Sequence, residues 1–222
     1  NDYSFFLNIL FLIIISCLLI LQPDFGMFIL IFAVWLIQIL SSNINLKIII
    51  PIVLSFILVF LLCFFALEHV KFRIMNFFFS EVGDNYQISK SLDSFENGGL
   101  FGKGIGEGTI AKNLPDVHSD FIFALIGEEL GGFFAILIIG IYIAMYIRIH
   151  IISQRSNNFF IVTALTGLAN IFIFQVIINI SSSLNIIPTK GMTLPFISYG
   201  GSSFVSSSII VGFILLLVKE EK

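Results

Sequence analysis

Charged residues are scarce in this chain of 222 residues: 11% are charged against 58% hydrophobic, and the mean hydropathy is +1.06. That balance excludes an ordinary soluble domain. The formal net charge of −3 is small and spread over loops, so it predicts neither nucleic acid nor an acidic partner. Cysteine is scarcer still. Cys17 and Cys63 both sit inside apolar runs, where thiols behave as inert small hydrophobes and support no redox conclusion. Also lacking is the strict apolar–polar alternation, in strands of about ten residues, that marks a transmembrane β-barrel. The first apolar run has no basic flank of the signal-peptide kind, and the chain opens on Asn1 rather than Met, so a mid-protein start and hence a fragment are expected.

What the chain does have is length in its apolar runs. Segments 3–23, 25–46, 48–67, 130–147, 156–189 and 191–218 are uncharged, and each is about 18 residues or longer, enough for a helix to cross a ~30 Å hydrocarbon layer. They predict an all-α, polytopic transmembrane bundle forming a single membrane domain over 1–222. The spans are expected at 5–21, 25–40, 48–67, 120–147, 159–180 and 196–218, with one long extracytoplasmic loop at 68–119. Pro23 and Gly26 break the first pair of spans, leaving Asp24 at a membrane-surface turn as a helix N-cap or as part of a polar cavity. An even number of spans puts both ends on one side. Lys47, Arg148, Arg155, Lys219 and Lys222 accompany the ends, and the short loops favour the cytoplasm for that side; the long loop, Asp24, Asp120 and Lys190 then share the outer face.

Charge enters an apolar stretch in one place above all, LPDVHSDFIFALIGEELG at 114–131, which carries Asp116, His118 and Asp120 and then Glu128 and Glu129. Ionisable groups entering lipid are costly unless they face protein, water or substrate, which makes this stretch a functional-site candidate. A glycine-rich run at 98–108 has a spacing like that of a dinucleotide loop but no βαβ context, so it is taken as backbone kept bare for close approach to a partner or to the membrane surface. A third stretch, PTKGMTLPFISYGGSS at 188–203, is too rich in proline, glycine and hydroxyls to be a simple spanning helix.

The first and third of these stretches, together with QPDFG at 22–26 and YQISKSLDSFENGGLFGKGIGEG at 86–108, resemble the SEDS family of membrane proteins, the peptidoglycan glycan polymerases FtsW, RodA and SpoVE, and look closer to the cell-division branch. The resemblance covers essentially the whole chain; the family has about ten spans, so this chain looks like its C-terminal six. It implies a polymerase that joins lipid II units on the outer face of the bacterial cytoplasmic membrane, at the division septum. It further implies a class B penicillin-binding transpeptidase and other divisome proteins as partners beside lipid II and the nascent glycan strand. The family's essential acid falls on Asp120 of His118-Ser119-Asp120-Phe121, its lysine on Lys190 and its first glycine-flanked serine on Ser202.

Glycan polymerisation needs a base for the attacking sugar hydroxyl, and Asp120 among Phe121, Ile122 and Phe123 would have its pKa raised toward a useful range. The departing lipid pyrophosphate needs cationic stabilisation, for which Lys190 and the glycine turns are available. Lys190, Ser202, His118, Asp24 and Glu128 are the expected substrate-contacting residues. Asp116, His118 and Asp120, at alternating positions, could hold a divalent cation, Mg or Mn, as the family's metal dependence would permit. Glu128 and Glu129 have a structural or cavity-lining alternative, since Glu128 lies about 12 Å beyond Asp120 on a continuous helix. Two other functions fit the same composition, a lipid II transporter and a non-catalytic divisome scaffold.

Overall fold

Continuous apolar sequence makes helices, and every regular element among the described residues is helical. A computed structural model describes residues 2–22, 24–41, 46–78, 86–188 and 191–220. In chain order the elements are α1 (Asp2–Leu21), α2 (Phe25–Ser41), α3 (Leu46–Ala66), α4 (Glu68–Phe78), α5 (Tyr86–Gly98), a 3-10 turn (Ala111–Asn113), α6 (Ile122–Glu129), α7 (Gly131–Arg155), α8 (Phe159–Ser183) and α9 (Gly201–Glu220). Among the described residues α7, α8 and α9 are long and apolar enough to cross a membrane, and α1 to α3 contain the shorter apolar stretches Phe6–Leu21, Phe25–Leu40 and Ile49–Phe65.

The chain forms two compact units, Asn1–Ile57 and Leu58–Lys222, which divide within α3. In the first, α1 packs along α2, and the rings of Phe28 and Phe32 stack on Phe56 of α3. Asp24 accepts a hydrogen bond from the Met27 N–H (3.1 Å), so its carboxylate caps α2, one of the two roles open to it in the sequence.

The second unit is built around α8. Its spanning segment is 44% buried against 17% in each of α7 and α9, so it is the central helix; all three are apolar all round, as membrane-spanning helices are. Asn158 caps its start by accepting from the Phe160 N–H (3.0 Å). Towards its C-terminal end Phe172 and Val176 pack with Phe123, Tyr142 and Leu194; towards its N-terminal end Ile161 and Leu165 pack with Ile149, Ile214 and Leu217. These two clusters fasten α7 and α9 to its sides.

One expectation from sequence needs correction, and one gains detail. The fourth span, expected as one helix over 120–147, is divided: α6 ends at Glu129 and α7 starts at Gly131, which adopts φ 86°, a left-handed conformation that ends one helix and lets the next start in a new direction. The segment 68–119, expected as a long loop between spans, holds α4, α5 and the 3-10 turn. In α5 the small residues Ser91, Ser94 and Gly98 are buried, and their low volume lets the helix lie close against its neighbours. The Ser91 hydroxyl donates to the Ser183 carbonyl at the end of α8 (2.6 Å), and a Cβ on Gly98 would stand 2.0 Å from the Gly127 carbonyl oxygen in α6. Hydropathy falls here because the helix is amphipathic, not because the chain is unstructured.

Candidate active site

The segment before α6 has no helical ladder to satisfy its carbonyls, and three consecutive ones find partners from elsewhere in the unit. The His118 carbonyl accepts from the Tyr199 N–H (2.8 Å), that of Ser119 from the Ser198 hydroxyl (2.5 Å), and that of Asp120 from the Asn179 side-chain amide (3.0 Å). The same Asn179 amide also reaches the Met192 carbonyl (2.5 Å). Asn179 is wholly buried in α8, so it acts as a clamp joining the two motif loops to the central helix. Ser198 in turn accepts from the Leu194 N–H (2.7 Å), and the Tyr142 hydroxyl of α7 donates to the Pro195 carbonyl (2.5 Å). The two stretches singled out in the sequence, 75 positions apart from Asp116 to Gly191 by numbering, are thereby stitched into one surface.

The carboxylate of Asp120 lies directly over Gly191. A Cβ built on that glycine would stand 2.5 Å from Oδ2, so the absence of a side chain is what admits the carboxylate. Asp120 is half-buried, and burial pushes its pKa above the ordinary carboxylate range; the Ser119 hydroxyl offsets part of that, and the nearby charge of Asp116 adds to it. Asp116 itself takes a left-handed turn at φ 53°, and its carbonyl accepts the Ser119 and Asp120 N–H groups, which sets the direction in which Asp120 emerges. A partly exposed carboxylate with a raised pKa, on a rigid backbone, is suited to taking a proton from a substrate hydroxyl.

The other expected site residues fall in different places. His118 is exposed beside Asp120. Ser202 is exposed in the first turn of α9, and its neighbour Ser203 shares a hydrogen bond with Thr193 (2.6 Å). Lys190 lies outside the described residues, although Gly191 beside it is in place. Asp24 belongs to the first unit and caps a helix there.

Glu128 is corrected from a substrate contact to a structural group. It is fully buried, and its two carboxylate oxygens accept from the Asn97 amide (2.7 Å) and from the N–H groups of Thr109 (2.9 Å), Ile110 (3.0 Å) and Ala111 (2.7 Å). Burial pushes its pKa up, but these donors outweigh that and hold it below the ordinary range. Oε1 takes three of these bonds and Oε2 one, and with the side chain fully buried the carboxylate faces protein donors rather than a substrate. Among the described residues no three His, Cys, Asp or Glu side chains are grouped to hold a metal, so Asp116, His118 and Asp120 do not form a cage by themselves and no step is routed through a cation.

Sequence reasoning set Asn179 among polar groups that satisfy helix ends, and it passed over Ser198, Asn97 and Gly191. The asparagines of α8, Asn170 and Asn179, in a largely apolar helix were a usable signal, since a buried amide must find partners. Ser198 gave none, because its role depends on a carbonyl 79 residues away.

Fold and site together define a polytopic helical membrane protein whose polar loops gather at one end of its central helix. The profile of the FtsW/RodA/SpoVE family, described as "Cell cycle protein", matches residues 1–222. Proteins named "Probable peptidoglycan glycosyltransferase FtsW" are similar: that of Coxiella burnetii is 36% identical over 93% of this chain, and that of Caulobacter vibrioides 39% identical over 71%. This chain covers 58% and 40% of their lengths, so it spans about half of the relatives it matches. Among solved structures, a peptidoglycan synthase complex shares the fold with a TM-score of 0.74 at 19% identity, covering the whole of this chain and 63% of the other. An alanine mutant of the rod shape determining protein RodA from Thermus thermophilus gives a TM-score of 0.65 at 23% identity, again over the whole of this chain and 58% of the other. The chain belongs to the FtsW/RodA/SpoVE family of integral membrane proteins.

Proposed function

We propose that the protein of which this chain is part is a peptidoglycan glycosyltransferase that joins lipid II units at the outer face of the cytoplasmic membrane during cell division. The observation that carries this reading is the seat of Asp120, a half-buried carboxylate over Gly191 on a backbone held by three successive tertiary hydrogen bonds. In this reading Asp120 takes the proton from the acceptor sugar hydroxyl as that oxygen attacks the anomeric carbon of the donor strand; the bond to the lipid pyrophosphate breaks and the pyrophosphate leaves with its charge. The raised pKa makes Asp120 a stronger base than an exposed carboxylate, and its fixed backbone lowers the entropic cost of alignment. Lys190 and the hydroxyl-rich start of α9, with Ser202, would face the departing pyrophosphate, and His118 the acceptor sugar. Relatives bearing the glycosyltransferase name support the reaction class. A class B penicillin-binding transpeptidase and other divisome proteins are the proposed partners, and the septum the proposed location.

The test is glycan-strand synthesis from purified lipid II by the full-length protein with its partner transpeptidase, wild type against Asp120→Asn. Strands from the wild type, and a loss of about 10²-fold or more in an equally folded variant, are the expected result for removal of a general base. Movement of labelled lipid II between leaflets without strand synthesis would replace polymerase by transporter. Neither activity, with partner binding intact, would leave a scaffold.

A further inference from the structure

We infer that the glycine-rich segment 99–105 is a membrane-inserting wedge that seats Leu100, Phe101 and Ile105 in the lipid leaflet where α7 enters the bilayer. The inference needs only that α7 spans the membrane and is independent of the catalytic reading. Large apolar side chains pointing into water are unusual when grouped, and here three in six positions are 69%, 87% and 82% exposed. Their backbone is fixed at the depth of the span's first turn, because the N–H groups of Gly132 and Phe133 donate to the carbonyls of Gly99 (2.9 Å) and Leu100 (3.1 Å). From there α7 continues with exposed Phe133, Phe134, Ile136, Leu137 and Ile141, the surface a membrane span turns to lipid. The wedge therefore continues the exposed apolar face of a helix of membrane-spanning length, and that continuity selects lipid as its occupant.

The segment cannot fold away to hide these side chains. Lys103 and Gly104 donate their N–H groups to the carbonyls of Glu128 and Glu129 (both 3.0 Å), closing the last turn of α6. Gly102 and Gly131 lie so close to the facing backbone that a Cβ would stand 2.2 Å and 2.4 Å from it. Exposed Lys103 sits between Phe101 and Ile105, Glu107 follows, and the Lys112 ammonium donates to the Gly106 carbonyl, so charge lies on both sides of Ile105 at the level expected for headgroups. Alternating glycines leave the backbone without bulk between the apolar residues, which allows the ribbon to lie flat at the interface.

The experiment uses the full-length protein, cysteine-free through Cys17→Ala, Cys63→Ala and any others needed, in nanodiscs of phosphatidylethanolamine and phosphatidylglycerol. An environment-sensitive fluorophore is attached at Phe101→Cys or Ile105→Cys, with Asn113→Cys as an aqueous control and Ile136→Cys as a lipid control. Both wedge positions are expected to give blue-shifted emission that falls at least twofold when the nanodiscs carry a shallow acyl-chain quencher, as at Ile136, while iodide quenches only Asn113. Iodide quenching at 101 and 105 like that at Asn113 would overturn the inference in favour of water. Protection from both quenchers would overturn it in favour of a protein cover. Phe101, Ile105 and Ile136 are exposed, so their substitution leaves the packing untouched, while Asn113→Cys gives up one surface hydrogen bond to the Thr109 carbonyl; the controls report the fold in the same sample.

Discussion

At the scale of single residues, function is set by what surrounds one carboxylate. Because burial and Asp116 raise the pKa of Asp120, the acid limb of a pH–rate profile is expected above the ordinary carboxylate range and is expected to vanish in Asp120→Asn; a limb at ordinary carboxylate pH would deny Asp120 the role of base. Gly191→Ala puts a methyl where Oδ2 now lies, and the flexible carboxylate rather than the backbone has to move. Glycan synthesis is therefore expected to fall with little change in melting temperature, a dissociation measured by assaying both on one preparation. Asn179→Leu keeps volume but leaves the carbonyls of Asp120 and Met192 without their donor, which costs about 1–3 kcal/mol. Asn179→Leu should lower both stability and activity, and equal activity at full stability would show that the clamp does not position the acid.

Elements meet here through missing side chains. α5 crosses α6 where Gly98 faces Gly127, and the Phe95 ring covers Gly127, with a Cβ there only 2.3 Å from the ring. Gly98→Ala cannot be absorbed by a rotamer change, since what it strikes is backbone, and overpacking of this kind costs about 1–3 kcal/mol. Melting of the purified variant in detergent checks this, and an unchanged midpoint would mean that α5 is not docked as described. Glu128 holds the 3-10 turn by the N–H groups of Thr109, Ile110 and Ala111, a one-sided capture by a buried anion. Glu128→Gln removes the charge from four hydrogen bonds and places an amide among donors. It is expected to loosen 108–113, read as faster amide exchange there, with α8 and α9 unaffected.

For the molecule as a whole, these two carboxylates pull stability in opposite directions along the pH axis. The lowered pKa of Glu128 gives stability that is full above its unfolded value and is lost as pH falls through the folded one. The raised pKa of Asp120 gives the reverse, a contribution present below its unfolded value and lost as pH rises through the folded one. The pair therefore favours the folded state most near the ordinary carboxylate range. At pH 7 Asp120→Asn is expected to melt slightly higher than wild type, with the gap closing as pH is lowered through that range, as measured by thermal unfolding at several pH values. A variant that melts lower at pH 7 would mean that Asp120 is stabilised in its charged form by groups outside its described surroundings.

Composition alone determined the class of fold, because a chain this apolar can satisfy its backbone inside a bilayer as helices, and uncharged runs of spanning length locate them. Local pattern also located the two polar stretches, since charge and proline stand out against such a background. Tertiary structure alone decided what each polar group does. Asp120 and Glu128 are both carboxylates in one motif, yet one meets Gly191 across the chain and stays half-exposed, while the other meets four donors on 97–111 and is sealed. The break at Gly131 was equally illegible, since a glycine inside an apolar run has the same sequence signature whether it packs within a helix or turns the chain; here the carbonyls of 99–100 and the N–H groups of 103–104 supply the ends that the break leaves open. Hydrogen bonds between distant segments have no period, and so no local pattern in the sequence records them.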